Sequence, residues 1–190
     1  LDILDYTATA MGARLMRQWI ESPLYDAARI TSRQQAVGTL VGDSRLRTEL
    51  GEALKKITDL ERILSRIEVG SANARDMASL RTALLAVPDL KRLLAPYRDG
   101  LLAKLSSRID SHETVLDELR RGIVDDPPFT VREGGMIRKG YNAELDELHD
   151  IAENNNAWMQ DFELRIKEET GIKNLKVGFN KVFGYYIEVS

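Results

Sequence analysis

The sharpest hydrophobic pattern in the chain lies in its last fifty residues. From Asn142 to Thr170, Leu145, Leu148, Ala152, Asn155, Met159, Phe162 and Ile166 step by alternating three and four. That spacing predicts one long helix with a single seam packed along a partner helix, and Asn155 is the polar seam residue that would fix register. The helix would be about 40 Å long at ~1.5 Å rise per residue. At Gly171 the period changes to two. Leu175, Val177 and Phe179 alternate with Asn174, Lys176, Gly178 and Asn180; after a loop ending near Gly184, Tyr185, Ile187 and Val189 alternate with Tyr186 and Glu188. This predicts a small antiparallel hairpin at the tip of the helix. No second helix of similar length and pattern occurs in these residues, so the seam's partner is expected in further chain or in another molecule.

The preceding 120 residues read as a series of short capped helices. Thr9 caps a first helix to about Glu21, with Met11, Leu15, Trp19 and Ile20 as its apolar stripe; Trp19 is expected in the core. Thr31 with Gln34, and Thr58 with Glu61, have capping-box spacing and open two more helices; Asp43 and Ser44 cap another between them. Asn73 caps a fifth helix to about Val87, with Asp76 well placed in its first turn. Pro88 is expected to end it and start a short piece over 89–94. Further helices are predicted over Asp99–Ile109 and from a Ser111 cap to Arg121. This repeated texture predicts a mainly α, multi-helix bundle.

Helical texture breaks at Asp125 to Tyr141. Asp126, Pro127 and Pro128 stop a helix, and Phe129–Arg132 with Met136–Arg138 around Gly134 and Gly135 have the makings of a short hairpin. Its expected role is to aim the chain into the long helix.

Composition sets bounds on function. Hydrophobic residues make up 43% of the 190, enough for a core, and the net charge is −3, so any nucleic-acid contact must be a local patch. Cysteine is absent, which excludes disulfides and thiolate metal sites. No apolar run is long enough to span a membrane. The chain begins with Leu and ends inside a strand pattern, so it reads as a piece of a longer protein. Charge is segregated along the final segment. Acids dominate from Asn142 to Thr170, whereas Lys173, Lys176 and Lys181 face Glu188 alone beyond Gly171. A basic tip on an acidic shaft suits end-on contact with a polyanion. The candidate phosphate-contacting donors are Lys173, Asn174, Lys176, Asn180 and Lys181, groups that position a protein on a backbone without reading sequence.

Catalytic chemistry is sparse. His112 and His149 lie far apart in helical contexts, and Ser111-His112-Glu113 are neighbours that point in different directions. Glu144, Glu147 and Asp150 share one face of a straight helix and cannot encircle a cation. No G-x-x-x-x-G-K-[ST] loop occurs. The residues themselves point to no enzyme and no bound cofactor.

NLKVGFNKVFGYYIEVS (Asn174 to Ser190) closely resembles the clamp segment of MutS-type DNA mismatch-repair proteins. REGGMIRKGYNAELDEL (Arg132 to Leu148) resembles the lead into that clamp. LDYTATAMGARLMRQWIESPL (Leu4 to Leu24) and DLERILSRI (Asp59 to Ile67) resemble the family's helical core. The resemblance implies a core, or lever, domain over 1–154 and a partial clamp over 155–190. It implies non-specific contact with the backbone of double-stranded, mismatched DNA, with KVGFN and Lys181 in the clamp's first strand and turn and GYYIEV in its next strand. It further implies a homodimeric, ATP- and Mg²⁺-dependent parent in the bacterial cytoplasm or nucleoid, whose ATPase domain is absent from these residues. The competing expectation is a helical scaffold whose stalk and hairpin dock a protein partner.

Overall fold

In the computed structural model, the structure describes residues 3–180, 182 and 184–189, apart from the side chains of residues 153, 155 and 156. The described residues form eight α-helices, one 3₁₀ turn and a two-stranded antiparallel sheet, a mainly α fold with a small hairpin. They divide into two compact units, one through Arg138 and one from Lys139.

The first unit holds α1 (Ala10–Glu21), α2 (Ala27–Gly42), α3 (Ser44–Lys55), α4 (Leu60–Glu68), α5 (Ala74–Leu94), α6 (Gly100–Arg108) and α7 (Glu113–Gly122). Helix α5 is its axis and packs against α3, α4, α6 and α7. Small side chains on α5, Ala74, Ala83 and Ala86, let neighbours approach, and Leu84, Leu93 and Leu94 supply bulk to the core. Leu46, Ala53 and Leu93 form a buried cluster, with Leu40, Leu50, Leu90 and Tyr97 packed around it.

Several caps fall where the sequence predicts. The Thr9 hydroxyl accepts from Gly12 N–H at 2.9 Å, and Asp43 Oδ1 accepts from Leu46 N–H at 2.9 Å. Asn73 and Asp76 form a reciprocal capping box. Others differ. Helix α2 starts at Ala27, because Asp26 accepts from Ala28 and Arg29 N–H and captures the helix start ahead of Thr31. Asp59, not Thr58, occupies the cap of α4; the Thr58 hydroxyl donates instead to Ser79 O. His112, at φ 47°, holds the cap position of α7 in place of Ser111, with Asp110 Oδ1 accepting its N–H at 3.0 Å. Pro88 does not end α5, which continues to Leu94. Proline removes one helical hydrogen bond, but Leu84, Ala86, Leu93 and Leu94 are buried on either side of it, and that packing outweighs the loss. Trp19 is 42% exposed rather than buried, since no residue of α1 is buried. Arg33 places its guanidinium 3.6 Å from the Trp19 ring centroid.

The expected hairpin over 129–138 does not form. Thr130 and Glu133 close a 3₁₀ turn, Val131–Glu133, with its own capping box. Ile137 bridges to Ile123 instead. The buried Arg81 holds this corner, its Nη1 donating to Ile123 O at 2.6 Å and its Nη2 to Val124 O at 3.2 Å. Arg138 Nη2 donates to Asp125 Oδ1 at 2.9 Å.

The second unit is α8 (Ala143–Thr170) followed by β1 (Leu175–Asn180) and β2 (Gly184–Val189). The register pairs Leu175 with Val189, Lys176 with Glu188, Val177 with Ile187, Gly178 with Tyr186, Phe179 with Tyr185 and Asn180 with Gly184. The long helix and hairpin thus match the periodicity of the sequence. Among the described residues the second unit holds no other helix for the seam of α8 to pack along. The seam's C-terminal part, Phe162 and Ile166, is half-buried where β1 packs on α8, while Leu148 remains 58% exposed. The expected register residue Asn155 lies outside the described side chains.

Candidate nucleic-acid interface

The helix that carries the tip is fixed at both ends. Asn142 Oδ1 accepts from Leu145 N–H at 2.9 Å. At the same end, Lys139 Nζ reaches Asp150 at 2.8 Å, and Gly140 N–H donates to Asp146 Oδ2 at 2.8 Å. At the far end Gly171 takes the left-handed conformation, φ 71°, and its N–H bonds Lys167 O. A side chain there would be strained, so this glycine releases the chain from helix to strand.

Beyond Gly171 the chain turns through Lys173 and Asn174, both exposed, and enters β1 at the buried Leu175. Glu163 secures the strand to the helix. Its Oε2 accepts from Val177 N–H at 3.0 Å, and its Oε1 accepts from Lys167 Nζ at 2.6 Å. The Lys167 hydrogen bond first, then the Val177 N–H, and more weakly the charges of Lys167 and Lys176, hold the Glu163 carboxyl below its ordinary range. The Val177 N–H therefore points away from β2 and toward α8, so one edge of the hairpin is satisfied by a side chain rather than a strand.

Alternation sorts the remaining side chains. Lys176, Gly178 and Asn180 share one face with Glu188 and Tyr186. The Tyr186 ring lies over Gly178, where a built Cβ would sit 2.8 Å from Cζ. Phe179 and Tyr185 share the other face, with centroids 5.0 Å apart and planes tilted by 59°. Both tyrosines are engaged within the sheet.

The predicted donors are placed as follows. Lys173 and Asn174 sit at the helix-to-sheet turn, and Lys176 is exposed on the polar face directly across from Glu188. Asn180 Oδ1 accepts from Val182 N–H at 2.7 Å, closing the hairpin turn and leaving the amide NH₂ as its donor. Lys181 lies outside the described residues. The structure brings Lys176 and Asn180 onto one face of β1, Lys176 near its start and Asn180 at its end, and puts Lys173 and Asn174 in the turn just before the strand. Sequence reasoning missed Glu163 as the anchor of the hairpin; its i,i+4 spacing to Lys167 was the available signal.

Neither histidine joins this group: His112 caps α7 and His149 is exposed on α8. Among the described residues no three His, Cys, Asp or Glu side chains are grouped to hold a metal ion, and no helix is long and apolar enough to cross a membrane.

Comparison with known proteins gives a consistent match. The sequence profile described as MutS domain III matches residues 1–175. A DNA mismatch repair protein MutS of an Exiguobacterium species is 46% identical over 190 residues, covering 100% of this chain and 23% of its own length. Its namesake in Brevibacillus brevis is 47% identical over 188 residues, covering 99% of this chain and 22% of its own length. That of Alkaliphilus oremlandii is 46% identical over 188 residues, 99% of this chain and 21% of its own. The profile stops at Leu175, but similarity to the Exiguobacterium protein runs on through the hairpin. The chain thus spans about a fifth of the length of these relatives, and from its bundle through its long helix it belongs to the MutS domain III family, as a region of a MutS-type DNA mismatch repair protein.

Proposed function

We propose that this region is the lever and clamp segment of its parent, touching the sugar–phosphate backbone of duplex DNA at the hairpin and coupling that contact to an ATPase domain elsewhere in the polypeptide. On this reading residues 1–154 act as lever and 155–190 as clamp. ATP and Mg²⁺ act in the other domain, and the parent is a homodimer working on mismatched DNA in the cytoplasm or at the nucleoid. The region itself performs no catalysis.

The observation that carries the reading is the exposure of Lys173 and Lys176 at the end of an otherwise acidic helix. Lys176 and Asn180 are about 13 Å apart at ~3.3 Å per residue, so they would meet different phosphates. Glu188 opposite Lys176 tempers that ammonium, which makes Lys173 the stronger single contributor.

The test is titration of duplex DNA with the full-length parent at several salt concentrations. Replacing Lys173, Lys176 and Lys181 by Glu should weaken binding for matched and mismatched duplexes alike. The salt slope should fall by about 0.9 for each phosphate that is no longer neutralised. An unchanged slope would turn the reading toward a protein-docking scaffold. The exposed apolar face of the hairpin favours that second reading, with Phe179 at 59%, Tyr185 at 63% and Ile187 at 52% exposure.

A further inference from the structure

Glu163 uses both carboxylate oxygens at the junction of α8 and β1. Oε2 accepts from Val177 N–H at 3.0 Å, and Oε1 accepts from Lys167 Nζ, one turn along the same helix, at 2.6 Å. Among the described residues, the bond to Val177 is the one hydrogen bond between α8 and the two strands. The rest of that packing is apolar, with Phe162 and Ile166 half-buried and Leu175 buried. Apolar contact is non-directional. It holds the strand against the helix without fixing how the strand is turned. A hydrogen bond weakens steeply off line and does fix it.

The Val177 N–H belongs to the planar peptide unit that also contains the Lys176 Cα. Glu163 therefore grips the plane from which the Lys176 side chain springs, and the Lys167 ion pair keeps the Glu163 carboxylate from rotating away. Lys176 itself is exposed and shares a face with Asn180.

Charge and position call for opposite results at this residue. A carboxylate near the tip opposes the approach of a polyanion. If Glu163 were only a charge, its removal would raise affinity for DNA. If it is an anchor, its removal lowers affinity although a negative charge has gone.

We propose that Glu163 is a positioning residue for the backbone contact: through the Val177 N–H it sets the place of Lys176 at the end of α8, and DNA affinity depends on that placement. This role rests on the contact between hairpin and duplex proposed for the region.

The experiment titrates duplex DNA with the full-length parent over a salt series, using Glu163→Ala, Glu163→Gln, Lys176→Gln, and Glu163→Ala combined with Lys176→Gln. Glu163→Ala should lower affinity several-fold, and the salt slope should fall by up to about 0.9, one phosphate's worth. Glu163→Gln keeps an acceptor for the Val177 N–H but loses the ion pair, and should recover part of the loss. In the Lys176→Gln background Glu163→Ala should add little, because the group it positions is already gone. Affinity unchanged or raised by Glu163→Ala overturns the proposal. So does a glutamine protein as weak as the alanine one. An equal loss in the Lys176→Gln background also overturns it, since unfolding of the tip would weaken binding whether or not Lys176 were present. The protein with Lys173, Lys176 and Lys181 replaced by Glu separates the two readings. If it binds as tightly as the unaltered parent, the backbone contact fails and the positioning role fails with it. If it binds weakly while Glu163→Ala does not, the positioning role alone fails.

Discussion

Gly178 and Tyr186 are direct cross-strand partners, and the phenol ring occupies the space a side chain at 178 would need: a built Cβ lies 2.8 Å from Cζ and 2.9 Å from the hydroxyl oxygen. An aromatic ring laid over a strand glycine shields backbone that the glycine leaves bare. The clash is with the far end of a side chain, so Gly178→Ala should displace Tyr186 and spare the strand. Alanine is favoured over glycine in a strand by about 0.5–1 kcal/mol, and losing the ring packing offsets that gain. A double-mutant cycle separates the two effects. With Tyr186 present, Gly178→Ala should be neutral or destabilising; with Tyr186→Ser it should turn stabilising by about 0.5 kcal/mol. Urea denaturation of the four variants checks the sign change.

The Glu163 link makes the hairpin's attachment to α8 sensitive to acid. Its carboxyl is held below its ordinary range by Lys167 and by the Val177 N–H. The folded state therefore binds fewer protons than the unfolded chain over the window between the two pKa values. The stabilisation is fully present at neutral pH and drains away as pH falls through the folded pKa. Glu163→Gln should remove that acid sensitivity and lower amide-exchange protection across β1 several-fold at neutral pH. Hydrogen exchange of Val177 followed against pH is the direct measurement.

The long helix and hairpin were legible because each has an unbroken period and a residue that forces the change between them, Gly171 at φ 71°. The bundle was legible as a bundle, but its boundaries were not. Asp26 competes with Thr31 for the start of α2, and only the folded chain shows that Asp26 reaches two amides at once. Pro88 reads as a stop because the cost of proline is local, whereas the burial that overrides it comes from side chains in other helices. Trp19 reads as core by residue type, yet its setting depends on how little covers α1. At the tip, composition picked out the exposed lysines. It could not reveal that Asn180 uses its carbonyl oxygen to close the turn, nor that Glu188 lies across from Lys176.

Helix α1 is tethered by Arg14, whose guanidinium grips the Asp59 carboxylate at 2.8 and 2.6 Å and Glu61 through Nε at 2.9 Å. The Arg14 hydrogen bonds hold Asp59 at about 2, below its ordinary 3.8. The sign is that of a depressed carboxylate: the tether is complete above 3.8 and is lost as pH falls toward about 2. With Trp158→Phe, Trp19 reports on α1 alone. Its fluorescence should shift over that window in acid, and Arg14→Gln should abolish the shift. A transition of the same size at the same pH in both proteins would remove Asp59 as its source.

Arg81 is a buried charge with several partners, and removing it should be costly. It is 7% exposed, and its guanidinium reaches the carbonyls of Leu119, Ile123, Val124 and Asp125 as well as the Asp125 carboxylate at 3.2 Å. These carbonyls end α7 and turn the chain toward Arg138, and Ile123 O also accepts from Arg138 at 3.1 Å. Arg81→Met keeps most of the aliphatic volume but leaves the carbonyls short of donors. Hydrogen bonds from charged donors contribute about 1.5–3 kcal/mol each where they are not replaced, and Arg138 and water recover part of the set. A net loss of about 3 kcal/mol is expected. Arg81→Lys should lose nearly as much, since one ammonium cannot span four carbonyls arranged for a planar fork. Denaturant titration of both variants measures the loss; recovery of most of the stability by lysine would mean that charge, rather than the fork, holds this corner.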